Sequence, residues 1–307
     1  MMQTNLYIDG MAGIVSSGHN GTLNAGDEPD YKTYIPDAGL RRRMSRLIKM
    51  GVTSSLMAIE NSGEGVIEGI ITGTGWGCLT DTEKFLVSIY ENSERLLNPS
   101  SFIQSTSNTI GAQIALMLDS KHYNNTFVHG GSSFECALLD SSLLLSEGKK
   151  RIMVGGFDEL TPTKSHLFNR MGVWKKFHCG EGAHFFIASA SKSKKTIGKI
   201  SAMEILSKDT PEDEIVEKCS SFLNESGLKF SDLQMILNGI DDLSGRFENL
   251  NTALLNFKGE CGEYPTSGAY ALFRGLNLLS GGKEKKHILI VNRYILDVFT
   301  FLLVEKV

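Results

Sequence analysis

Residues 126–148, TFVHGGSSFECALLDSSLLLSEG, set two glycines and two serines between a short β-rich run and a run with helical spacing. An elbow of small residues between strand and helix is where several kinds of enzyme present a nucleophile, because the turn bares the side chain and the first turn of the helix favours an anion. Ser132 stands at the helix start, yet Ser132-Ser133-Phe134-Glu135 also fits the S-x-x-E capping box, in which the serine and the glutamate each satisfy a backbone amide. The cap is the first reading and the nucleophile the second, since no motif supplies the base a serine needs. Cys136 lies more than a turn into the helix, away from the favourable dipole, and reads first as a small packing residue. His129 approaches the elbow from the strand and reads first as a core or rim residue.

Two further clusters carry chemistry-bearing groups. Arg41, Arg42, Arg43, Arg46 and Lys49 place cations within about two helical turns. Such a run is first a solvated helix face and second a docking patch that would steer an acidic partner by charge. Gly73-Thr74-Gly75-Trp76-Gly77 does not continue into the pattern of a dinucleotide or phosphate loop and reads as a tight turn at a strand end. Five cysteines at 78, 136, 179, 219 and 261 show neither C-x-x-C spacing nor a histidine cluster, which points to reduced thiols in a cytoplasmic protein and to no metal.

The elements that must position these groups alternate. The 307 residues are 41% apolar and 21% charged, enough for one large domain or two tightly packed halves. A net charge of -4 argues against nucleic acid as a partner, and neither a signal peptide nor a membrane-spanning run is expected. Residues 4–8 form a strand, 15–31 a Gly/Ser/Asn/Asp loop, 38–60 one amphipathic helix, 66–76 a β-rich run, and 80–97 and 107–118 helices. Strand 126–129, the helix from Ser132 and strand 151–155 come in β-α-β order, which favours a parallel sheet covered on both faces. Residues 182–189 add a buried strand. A second round begins near Lys199: strand 199–206, helix 211–224, strand 234–237, helices 249–257 and 266–279, and closing strands 287–291 and 299–304.

In this order the pieces resemble the β-ketoacyl synthases of the thiolase superfamily. The resemblance rests on Val154-Gly155-Gly156-Phe157-Asp158-Glu159 after the elbow helix, on Gly180-Glu181-Gly182-Ala183 opening the next strand, and on Lys258 and Gly262 with three residues between them. Helix 107–118 stands where the family has its dimer-interface segment. The chain is shorter than typical members, so loops must be trimmed. The likeness implies an α/β fold of αβαβα layers in one thiolase-like domain, 1–307, with related halves at about 1–195 and 196–307. It also implies a dimer, acyl groups carried on an acyl carrier protein, and no cofactor.

Family chemistry uses a cysteine and two histidines, the cysteine as thiolate at a helix N-terminus. Carried over by position, the cysteine falls on Gly131, or on Ser132 if the alignment slips by one, and the histidines on Asn238 and Glu263. None of the three types is present, and a carboxylate would oppose a developing enolate. Lys258 is expected to pair with Glu263 or Glu260. The sequence thus resembles the chain-length factors of fatty-acid, polyketide, aryl-polyene and resorcinol-type pathways, subunits that lack the nucleophile and pair with an active synthase. On this likeness residues 106–113 and 134–138 line the shared surface, and His129, Ser132, Ser133, Phe134 and Lys258 line the substrate pocket. The alternatives are an acyltransferase or hydrolase using Ser132 or Cys136, and a binding module without an enzymatic partner.

Overall fold

The computed structural model describes residues 1–24, 28–240, 244–247, 250, 252–281, 286–295 and 297–307. The first half contains β1 (Met2–His19), β2 (Thr22–Leu23), α1 (Tyr31–Tyr34), α2 (Ala38–Arg43), α3 (Arg46–Ser62), β3 (Gly69–Gly73), α4 (Leu79–Glu91), α5 (Pro99–Gln104), α6 (Thr109–Met117), β4 (Tyr123–Phe127), α7 (Ser133–Ser146), β5 (Arg151–Asp158), α8 (Pro162–Arg170) and β6 (Cys179–Ser189). The second contains β7 (Gly198–Ile205), α9 (Ile215–Glu225), β8 (Leu233–Gly239), α10 (Ser244–Phe247), β9 (Ala253–Asn256), α11 (Lys258–Cys261), α12 (Ser267–Gly281), β10 (His287–Arg293) and β11 (Phe299–Glu305).

The sheet runs β4-β3-β5-β6-β1-β7-β11-β10-β8-β9, with β2 paired to β1. Read outward from the β1–β7 seam, both halves have one pattern: two antiparallel junctions and then two parallel ones. By position β1 answers to β7, β6 to β11, β5 to β10, β3 to β8 and β4 to β9. The helices correspond likewise, α3 with α9 and α7 with α12.

Burial obeys this plan. Phe134, Ala137 and Leu138 of α7 and Ala269, Leu272 and Leu276 of α12 share the central apolar cluster with both halves of the sheet. Leu47, Ile48 and Val52 of α3 and Ile110 of α6 build a second cluster on one outer face, and Ile215, Cys219 and Phe222 of α9 a third on the other. The layers are therefore helix, sheet, helix, sheet, helix, as the resemblance implied. α7 and α12 are covered on both sides, so their apolar residues spread around the helix rather than along one stripe.

Four local expectations need correction. Residues 15–19 continue β1 rather than forming a loop, because residues 15–18 pair with Cys179–Gly182 of β6 and His19 with Thr22 of β2. The single helix at 38–60 is two: Met44 is extended and buried, and α3 restarts after Ser45. The helix at 80–97 stops at Glu91, after which Ser93, Glu94 and Leu96 take positive φ. The helix at 249–257 is instead strand β9, paired in parallel with β8. Asn249, Asp241 and Asp242 lie outside the described residues.

Candidate functional site

At the elbow β4 ends at Phe127, Gly130 turns at φ +56, and residues 130–132 make a 3-10 turn leading into α7. The Gly131 N–H donates to Asp297 Oδ2 at 2.7 Å. A Cβ on Gly131 would lie 2.5 Å from Tyr294 Cβ, well inside contact distance. Tyr294 is fixed in turn, its hydroxyl accepting from Trp76 Nε1 at 3.2 Å with the rings edge to face. The position expected to carry a nucleophile is thus packed from outside by the segment after β10.

The capping box is not formed. Ser132 Oγ donates to the His129 carbonyl at 3.1 Å, and the Glu135 carboxylate turns inward to accept from Thr300 Oγ1 at 3.0 Å. Ser133 fastens the elbow instead, accepting from His129 N–H at 2.9 Å and contacting the carbonyls of Thr74 and Gly130. The reason is burial: Glu135 is 1% exposed and faces α12, so it cannot reach back to the solvent side of the turn. Cys136 is half-buried, and desolvation pushes its thiol up, opposite to the shift that activates a nucleophile. His129 is exposed and leans on Phe127, a rim position. Phe134 is fully buried against Phe186.

On the second half, Lys258 Nζ donates to both oxygens of Glu263 at 2.8 Å and to the Arg293 carbonyl at 2.6 Å. Both side chains are almost fully buried, so this is a tight ion pair with hydrogen bonds satisfying the cation. Glu263 N–H also donates to the His178 carbonyl at 2.7 Å. The cavity beside the pair, lined by Phe177, His178, Asn256, Lys258, Gly259 and Glu263, measures about 30 Å³, the share of one water molecule. Asn238, next to last in β8, spans Ile240 N–H and carbonyl with its amide, at 3.1 and 2.9 Å. The fold therefore gathers Gly131, Lys258 and Glu263 around Arg293 and Tyr294, and it turns Asn238 to closing a strand.

Asp158 organises the region, and the sequence shows it only as part of a glycine-pair motif. Its Oδ1 accepts from Thr74 Oγ1, Gly75 N–H and Trp76 N–H, and its Oδ2 from Thr266 N–H and Oγ1, all within 3.0 Å. The carboxylate thereby shapes the Gly73–Gly77 turn and ties it to the start of α12. Burial still raises its pKa to about 6, those donors opposing the shift.

The cationic cluster separates in two. Arg46 binds Glu28 and the buried Glu181, which itself accepts from Leu160 N–H at 3.1 Å. It is a structural cation rather than part of an open patch. Arg41, Arg42 and Lys49 line a surface cleft, and Arg43 is exposed beside them. The shared-surface expectation also changes: Phe134, Ala137 and Leu138 are 0% exposed within this chain. The α7 residues facing outward are Cys136, Leu139 and Leu143, beside β4 at the sheet's edge. No helix among the described residues is long and apolar enough to cross a membrane.

Three solved structures share this architecture along their full lengths. The ishigamide ketosynthase/chain length factor aligns with a TM-score of 0.75 at 14% identity, covering 99% of each chain. A β-ketoacyl synthase from Burkholderia phymatum STM815 aligns at 0.77 and 13%, covering 100% of each. AntDE:AntF, a type II polyketide synthase acyl-carrier protein in complex with its ketosynthase bound to the hexaketide, aligns at 0.75 and 13%, covering 99% of this chain and 100% of that one. No curated protein matches the sequence. Residues 19–209, more than half of the chain, match the β-ketoacyl synthase N-terminal domain. With the layered fold and the elbow where the family's order of motifs puts it, the chain belongs to the β-ketoacyl synthase family.

Proposed function

We propose that this protein is a condensation-incompetent, chain-length-factor-like subunit that pairs with an active 3-oxoacyl synthase and helps hold carrier-borne acyl chains. The observation that carries the reading is the packing at Gly131. The residue has no side chain to attack an acyl group, its N–H is taken by Asp297, and Tyr294 fills the space a thiol would need. Glu263 is neutralised by Lys258 and so offers neither an imidazole nor an enolate-stabilising donor.

Pairing is supported by the sheet edge. β4 has a strand neighbour on one side only among the described residues. Tyr123, Val128 and Leu143 stand exposed around it, the kind of edge that a second sheet covers. The test is co-expression with a synthase homologue that retains the cysteine and both histidines, and then purification and condensation assays. Stable association, with activity in the pair and none in this chain alone, is the expected result. Turnover of acyl-carrier substrate by this chain alone overturns the proposal.

A further inference from the structure

The geometry points to a second binding site, lined by none of the elbow residues: the cleft between α1, α2 and α3 binds a phosphate-bearing ligand group. The cleft holds about 300 Å³ and is lined by Lys32, Arg41, Arg42 and Lys49, with Pro29, Asp30 and Tyr31. Four cations face one carboxylate there, in a chain whose net charge is -4. The neighbouring acidic groups are already committed. Glu28 binds Arg46 and Tyr31, while Asp30 and Asp37 accept from backbone amides at the starts of α1 and α2.

Arg41 is held in place, its guanidinium donating to the carbonyls of Ile35 at 2.6 Å and Pro36 at 3.2 Å. Among the described residues Lys32, Arg42 and Lys49 have no acidic partner. A preset guanidinium beside a second arginine and two ammonium groups suits the tetrahedral oxygens of a phosphate.

The cleft is open at the surface and holds about 300 Å³, so an acidic partner helix would lie across its mouth and leave the interior unfilled. A phosphate or diphosphate enters with room for its linkage to the rest of the ligand. The group could belong to a free phosphorylated metabolite or to the phosphopantetheine arm of a carrier protein, and the cleft recognises the same chemistry in both.

Calorimetric titration with inorganic pyrophosphate, 4′-phosphopantetheine and citrate separates the cases. Pyrophosphate is expected to bind, with affinity that falls as salt rises, and phosphopantetheine to compete for the same cleft if the arm is the source. Pyrophosphate binding without such competition assigns the cleft to free phosphates. Arg42→Gln/Lys49→Gln is expected to weaken pyrophosphate by about tenfold or more. The exposed pair Lys192→Gln/Lys194→Gln serves as control and is expected to change nothing. Binding unchanged in the cleft variant, citrate binding as tightly as pyrophosphate, or no pyrophosphate binding at low salt each overturns the assignment. None of these outcomes depends on whether the chain pairs with a synthase.

Discussion

Asp158 binds Thr266 at the start of α12, and Asp297 binds Gly131 at the start of α7, so each half of the chain places a carboxylate on the other half's central helix. The two aspartates sit in corresponding places, one ending β5 and one beyond the end of β10. Asp158→Ala strands five donors, two of them amides of the Gly73–Gly77 turn, and is expected to cost about 3 kcal/mol or more. Asp297→Ala frees two amides, those of Gly131 and Val298, and should cost about 1–2 kcal/mol. Urea unfolding of the two variants checks the ranking.

A thiol introduced at residue 131 is expected to be unreactive toward acyl thioesters. Gly131→Cys drives its Cβ against Tyr294 and should destabilise the protein by about 1–3 kcal/mol, as overpacking does. Tyr294→Gly removes packing against Trp76 and destabilises by itself, so the relief of the clash is expected to appear as a double variant less destabilised than the sum of the two single ones. Intact-protein mass spectrometry with acyl thioesters is expected to show no adduct at position 131 in the single variant.

Lys258→Met removes one member of a buried ion pair and leaves Glu263 charged without its cation. A loss of about 3–5 kcal/mol is expected. Lys258→Met/Glu263→Leu removes both charges and should regain most of it. Thermal unfolding of the two variants measures the difference.

Glu135 has its pKa raised by burial to about 7, against 4.5 when exposed. Between those values the folded state keeps a proton that the unfolded state has lost, so this group makes stability fall as pH rises. Asp158, raised to about 6, acts in the same direction from pH 3.8 to 6. His184, lowered to about 3 by complete burial, opposes both, because acid charges it only in the unfolded chain. Glu135→Gln isolates the first effect. Relative to wild type the variant should gain on the order of 3 kcal/mol between pH 4.5 and 7.5, read from unfolding curves across that range.

Val128→Lys and Leu143→Lys place charges on exposed apolar positions beside β4. Each should leave the melting temperature nearly unchanged and lower the fraction recovered with a partner synthase. Size-exclusion chromatography of the co-expressed pair reads the outcome.

The alternation of strands and helices is legible in the order and periodicity of the sequence, whereas the five layers come only from the resemblance to β-ketoacyl synthases. β1 and β9 are exceptions: the stretch 15–19 is rich in serine and glycine, and only the partner strands β6 and β8 show that these segments are extended. Glu135 departs from its motif for a related reason. S-x-x-E is a local pattern, whereas the direction of that carboxylate is set by Thr300, 165 residues away. The arginine run is legible as charge but not as geometry, since Glu181 withdraws Arg46 from it. That Gly131, Asn238 and Glu263 are neither cysteine nor histidine is visible by residue type. The closure of Gly131 by Tyr294 and Asp297 is not, because that contact joins segments more than 160 residues apart.

The β1–β7 seam has a further consequence. Met2–Ile8 pairs with Gly198–Met203 antiparallel, and on each side of that line the strands repeat in one order. Neither half is a self-sufficient fragment: cut near residue 195, each would bare the seam strand and one flank of its central helix. The two sides of the seam thus repeat one order of strands, and each central helix is packed by strands from both sides.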